Sequence, residues 1–355
     1  MTFYQELQLN QAGSKALIRH SGTKTEKLKH TAVYMFKVAL TLGFCMAFVL
    51  FYSKIFGADN SITGVVVLLA VMVFRQADLG IHAKHSVPVM LFLFAVMAFG
   101  PHLANIAGPF PGFFIHAACI FLLMVLGCHN VIMSNHSTFV LGYLLLFGYD
   151  VSGKAYFLRV VGMAVGAVFT GIIYWRNHRK RTYKRTVLQV FKEFRLFSAR
   201  SRWQLLITLG VSSSILLAQL LRLPRPMWVG IAAMSVLLPF QNDLSYRVRR
   251  RIPGNIMGGF LFVGLYIILP PSFIPFLGIL GGIGVGFSAT YIWQSAFNSL
   301  GAISIAAGLL GFPQAVFFRV LNNMLGAVYG FIFHQALNKT MNYFQNRIET
   351  GQQAA

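Results

Sequence analysis

Long apolar runs separated by short basic blocks are the feature that most restricts what this chain of 355 residues can fold into. Twelve segments stand out, at about 32–54, 60–74, 87–101, 110–128, 137–149, 155–175, 204–221, 227–240, 254–270, 273–289, 294–311 and 315–337. A helix needs roughly 20 apolar residues to cross a bilayer, so the longer runs fit spanning helices and the shorter ones are marginal. The reading is an all-α polytopic membrane protein with ten to twelve spans. Only 11% of the residues are charged, against about 25% in an average soluble chain.

Those few charges are lopsided: 30 Lys and Arg face 8 Asp and Glu, a net +22. Such an excess raises nucleic acid as a partner, but nucleic-acid domains spread their charge over a polar surface, and no nucleic-acid partner is expected here. With twelve spans and both termini inside, 24 basic residues fall on the cytoplasmic side and 6 outside, as the positive-inside rule requires. Residues 1–30 hold no short apolar core ending in small residues, so the first span is expected to act as the internal targeting signal. A bacterial inner membrane with cytoplasmic termini follows as the expected location.

An internal duplication is the second organising feature. Phe157-x-Arg159-Val160-x5-Gly166-Ala167-Val168 returns as Phe317-x-Arg319-Val320-x5-Gly326-Ala327-Val328, and four weaker anchors keep the same order. The chain therefore divides into an N-terminal tail (1–30), a first six-helix repeat (31–175), a basic linker (176–203), a second repeat (204–338) and a C-terminal tail (339–355). Six is even, so the copies are expected to run parallel about a pseudo-two-fold axis along the membrane normal.

Around Trp228…Pro239-Phe240-Gln241…Arg250-Arg251-Ile252-Pro253-Gly254-x3-Gly258-Gly259 the chain resembles the fusaric-acid-resistance-like (FUSC) family. That family includes bacterial aromatic acid exporters and has the plant aluminium-activated malate transporters as distant relatives. The resemblance implies a small organic anion, aromatic or carboxylate, as substrate, no cofactor, and either a homo-oligomer or a pseudo-dimer within one chain. In the first half Ile62 stands where Trp228 does, and His82, Lys84 and His85 stand where Arg247, Arg249 and Arg250 do.

Arg159 and Arg319 lie about one turn into their spans, where an unpaired charge is costly. Snorkelling to headgroups is one reading. Against it, both share a helix face with small residues, Gly166 for the first and Gly326 for the second, which suits packing against other helices. As a pair they are candidate anion contacts. Arg247, Arg249, Arg250 and Arg251 form a cluster, read as a loop at the cytoplasmic mouth, that would concentrate anions. Trp228, Asn298, Asn322 and Asn323 complete the substrate candidates. Asp78 and Asp243 are expected to cap a short helix and pair one turn on with His82 and Arg247. Gly254 and Gly258, like Gly166 and Gly326, are expected at close helix contacts.

The linker carries 10 basic residues between Arg176 and Arg202. Its stripe of Val187, Leu188, Val190, Phe191, Phe194 and Phe197 predicts an amphipathic helix against anionic inner-leaflet lipid. The three cysteines sit in apolar segments without CxxC spacing, so neither a disulfide framework nor a metal site is expected. No P-loop, nucleophile elbow or HExxH motif occurs, which argues against an ATP-driven pump or an enzyme. No Asp or Glu lies clearly within a span, which weakens proton antiport. An anion exporter leads. A passive anion channel, and a membrane protein that organises anionic lipid or a partner without transport, stand as alternatives.

Overall fold

The computed structural model describes residues 2–238 and 241–353, with the side chains of 241–243, 275 and 348–353 excepted. Fifteen α-helices and three short 3-10 turns make up the described residues, with no strand among them. In chain order the helices are α1 (Phe3–Leu7), α2 (Gln11–Arg19), α3 (Lys24–Phe56), α4 (Ser61–Phe74), α5 (Ala83–Ala107), α6 (Pro109–Gly127), α7 (His136–Gly148) and α8 (Gly153–His178). They continue as α9 (Val187–Lys192), α10 (Ala199–Leu220), α11 (Met227–Val236), α12 (Gln241–Ile268), α13 (Leu277–Phe287), α14 (Tyr291–Leu310) and α15 (Phe312–Gln353).

Each of the twelve apolar segments coincides with one of these helices, but not all are built to cross a bilayer alone. Seven stretches are long and apolar enough: Lys24–Phe56, Ala83–Ala107, Pro109–Gly127, Gly153–His178, Ala199–Leu220, Leu244–Ile268 and Phe312–Arg347. Four more apolar helices, α4, α7, α11 and α13, are too short. At 20 residues α14 has the length, but Gln294, Ser295, Asn298, Ser299 and Ser304 lower its apolarity.

The chain separates into two compact units, and their borders cut across helices. One holds Met1–Ala47 and Arg247–Asn323; the other holds Phe48–Tyr246 and Met324–Ala355. In the larger unit α5 packs against α6, α7 and α8, while α4 lies against α7 and α8. Helices α10 and α11 join this bundle by packing on α6 and α7 respectively. A side chain at Gly166 would meet Val67 of α4, and one at Gly326 would meet the Val229 carbonyl and Ala232 of α11. The glycine of the duplicated Arg-x6-Gly-Ala motif thus seats the last helix of each half on the second helix of that half.

Three local expectations are corrected. The segment 241–251 is helical, because α12 starts at Gln241 and runs without interruption into its apolar part. Nothing from Gln241 to Ile252 breaks a helix, and Pro253 falls within it, as transmembrane helices tolerate. Asp78 caps no helix, since 75–82 is irregular. Its carboxylate closes an Asx turn onto the Gly80 N–H (2.8 Å) and accepts from Asn130 Nδ2 (3.2 Å). Glycine suits position 80, where φ is +73°. The side chain of Asp243 lies outside the described residues.

The linker forms only the six-residue α9, closed by a Thr186/Gln189 capping box, rather than one amphipathic helix. Val190 is buried, whereas Leu188 and Phe191 are exposed. What holds the linker is Glu193, its one acid. Its carboxylate accepts from Arg185 Nε (2.8 Å) and Arg200 Nη2 (3.1 Å) and lies 3.3 Å from His129 Nε2. Burial, and then the neighbouring Arg200, hold the His129 imidazole down at about 4, so it is neutral and accepts from Arg200 Nη1 (3.1 Å). The hydrogen bond from Arg185 leads the effects that hold the Glu193 carboxyl below its ordinary value.

Candidate functional site

The two arginines of the duplicated motif are both buried, Arg159 at 1% exposure and Arg319 at 6%, yet their surroundings differ. Arg159, on α8, points at the C-terminal end of α7. Its Nη2 donates to the Tyr149 carbonyl (2.6 Å) and its Nη1 to the Leu146 carbonyl (3.4 Å). Carbonyls at a helix C-terminus carry the negative end of the dipole and lack intrahelical donors, so a guanidinium there completes the helix. Nε donates to Asn60 Oδ1 (3.1 Å), whose amide in turn donates to the Phe56 and Ala155 carbonyls. Asp150 lies 3.7 Å from Nη1 and also binds His102 Nδ1 (2.9 Å) and Asn105 Nδ2 (3.1 Å). Every nitrogen of Arg159 is engaged by protein, with a carboxylate nearby.

The second-half site is assembled by glycine contacts. On α12 the residues at positions 247, 251, 254, 255 and 258 share a face. A Cβ on Gly254 would stand 2.6 Å from the Ile292 carbonyl, and one on Gly258 would stand 2.3 Å from the Ala296 carbonyl. The two glycines therefore let α14 approach α12 backbone to backbone, which brings Tyr291, Ser295 and Ser299 opposite Arg251 and Asn255.

Arg251 is 8% exposed and donates from Nη1 to the Tyr291 hydroxyl (3.0 Å) and from Nη2 to Asn323 Oδ1 (2.9 Å). Its Nε is buried without a partner among the described residues, as is Ser295 Oγ. One turn earlier, the Arg247 guanidinium lies 4.4 Å from the centre of the Tyr291 ring. On α15, Arg319 Nε donates to Ser299 Oγ (3.2 Å), and Ser299 donates to Asn255 Oδ1 (2.9 Å). Asn323 Nδ2 donates to the Arg319 carbonyl (2.8 Å) and Asn255 Nδ2 to the Arg251 carbonyl (2.8 Å). Arg247, Arg251 and Arg319 thus line a polar column through α12, α14 and α15, linked by Tyr291, Asn323, Ser299 and Asn255. The sequence from 247 to 323 contains no Asp or Glu.

Other sequence candidates fall off this column. Arg249 and Arg250 are exposed, Arg249 on the face of α12 opposite Arg247 and Arg251 and Arg250 at its border. Asn298 is exposed, and its neighbour Ser299 faces the arginines. Asn322 is buried. Trp228, also buried, belongs to the larger unit on α11, whereas the column lies in the smaller one. Asn255, Ser295, Ser299 and Tyr291 were not singled out from sequence. The spacings Arg247-x3-Arg251-x3-Asn255 and Tyr291-x3-Ser295-x3-Ser299 mark them as two facing helical stripes.

Among the described residues the chain is all helical, with seven helices long and apolar enough to cross a membrane. Residues 213–333, from within α10 to within α15, match the family described as "Fusaric acid resistance protein-like". Every residue of the arginine column lies within that match. No curated protein and no solved structure matches the chain.

Proposed function

We propose that the protein exports small organic anions, aromatic or carboxylate, across a bacterial plasma membrane, and that the column on α12, α14 and α15 is where the anion passes. The observation that carries this reading is Arg251. It is a buried cation whose side-chain acceptors among the described residues are neutral, with a buried Nε left over, in a stretch devoid of carboxylates. Desolvated positive charge of that kind is costly alone and attracts an anion. Arg247 and Tyr291 stand one turn nearer the start of α12 and would hand the anion on to Arg251. From Arg247 to Asn255 the column covers about 12 Å, at 1.5 Å per residue.

Twelve spans in two parallel repeats, with both termini cytoplasmic, fit this reading, and the like seating of Gly166 and Gly326 supports it. The missing carboxylates favour passive, voltage-driven passage over proton exchange as a second reading. The test is flux into proteoliposomes with a panel of aromatic and aliphatic carboxylates. Saturable transport of at least one aromatic acid is expected, and current driven by voltage alone would select the channel form. If no anion in the panel moves, the reading is wrong.

A further inference from the structure

A cavity of about 790 Å³ lies within the smaller unit, walled by α2, α12, α13 and α14. Its size falls in the ordinary range for ligand sites. Most of its wall is apolar, including Leu261 and Leu265 of α12, Ile283 of α13, and Trp293 and Phe297 of α14. Among the described residues the charged ones lining it are Lys15 and Arg19, one helical turn apart on α2 and both exposed. No acid is among the described residues that line the cavity.

The polar groups gather at one end. Lys37 Nζ on α3 holds α2 through the Leu9 carbonyl (3.0 Å) and Ser14 Oγ (2.5 Å). One turn away on α3, the Tyr34 hydroxyl donates to the Gly286 carbonyl near the end of α13 (3.2 Å). Lys15 and Arg19 line the cavity together with the turn 288–290, which leads into α14. Thr290, the N-cap of α14, makes no side-chain capping bond, so the first amides of that 20-residue helix add to the positive end. From Trp293 to Leu300 the apolar wall runs on for about 10 Å. It is open sideways as well, since Trp293 is 47% and Leu280 is 43% exposed.

We propose that this cavity is a binding site for one anionic phospholipid, with the phosphate at Lys15 and Arg19 and an acyl chain laid along α12, α13 and α14. A cationic mouth on an apolar, laterally open bore matches a molecule that is charged at one end and arrives from within the bilayer. A small soluble acid would need neither the length nor the lateral opening. This site is separate from the arginine column and from the basic linker.

Trp293 supplies a built-in reporter. The full chain in phosphatidylcholine nanodiscs is titrated with phosphatidylglycerol brominated in its acyl chain, and separately with phosphatidylcholine brominated in the same way. The fluorescence change absent from Trp293→Phe is the signal. Saturable quenching is expected at low mole fraction for the anionic lipid alone. The Lys15→Ala/Arg19→Ala variant, whose changes lie on an exposed helix face, should raise the half-point roughly tenfold. Leu280→Phe/Ile283→Phe, which narrows the bore and keeps both cations, should also raise it. Equal quenching by the two lipids, or an unchanged half-point in either double variant, would overturn the proposal. Displacement by benzoate would make the cavity a site for small aromatic acids and overturn the assignment to lipid.

Discussion

Arg159 and Arg319 occupy matching places in the duplicated motif, yet the structure puts them to different uses. Arg159 is locked to the end of α7 by two backbone carbonyls, held by Asn60 and accompanied by Asp150. Arg319 donates instead to Ser299 of α14, in the same column as a second buried arginine, Arg251. A repeated motif therefore preserves a buried cation without preserving its job. What decides the job is the neighbouring charge: a guanidinium that completes a helix end and has a carboxylate at hand has little left for a ligand. Arg251, whose acceptors among the described residues are the Tyr291 hydroxyl and the Asn323 amide oxygen, retains its pull on an anion.

The largest separation of the two sites should come from stability. Arg159→Met strands the α7 carbonyls and Asn60, and should cost about 3 kcal/mol or more, read from denaturant unfolding of the purified chain. Flux per folded molecule should change far less. A variant as stable as the parent would erase the contrast with Arg319. Ser299→Ala removes the hydroxyl between Arg319 and Asn255. It should lower flux several-fold, in line with about 1 kcal/mol for a hydrogen bond, while the α12–α14 contact at Gly258 persists.

A third test concerns the linker cluster of the larger unit. His129 stays neutral in the fold down to a pH of about 4, whereas in the unfolded chain it takes a proton near 6.5. The unfolded state therefore binds more protons across that window, and stability should fall as pH drops from 6.5 to 4. Glu193, held below its ordinary value, pulls the same way at the acid end. His129→Gln should flatten the thermal-midpoint profile between pH 6.5 and 4.5, and an unchanged slope there would discard the role given to the imidazole. The smallest effect is expected at Asn298. Asn298→Ala should leave flux within about twofold of the parent, because the side chain is exposed and off the column.

Hydropathy made the helices legible, and each apolar segment is one, because a long apolar run has few other ways to satisfy its backbone in lipid. It was a poorer guide to which helices are long enough to cross. The start of α12 was hidden for a related reason. Gln241–Arg251 is polar, so it reads as a loop, although nothing in it breaks a helix. Once it is helical, Arg249 falls on the face opposite Arg247 and Arg251, and Arg250 is set apart by its exposure. Asn298 drew attention as a polar residue in a span, but Ser299 is the one turned inward, and a hydroxyl carries too little hydropathy signal to announce itself. The partners of Arg159 are backbone carbonyls at a helix end, which no side-chain pattern records.

The most direct measurement is uptake of an aromatic carboxylate by proteoliposomes holding Arg251→Gln, normalised to folded protein and compared with the parent. Loss of a charged contact in a buried site is worth about 1.5–3 kcal/mol, so flux should fall roughly tenfold to a hundredfold. Uptake equal to that of the parent would contradict the assignment of the α12–α14–α15 column as the anion path.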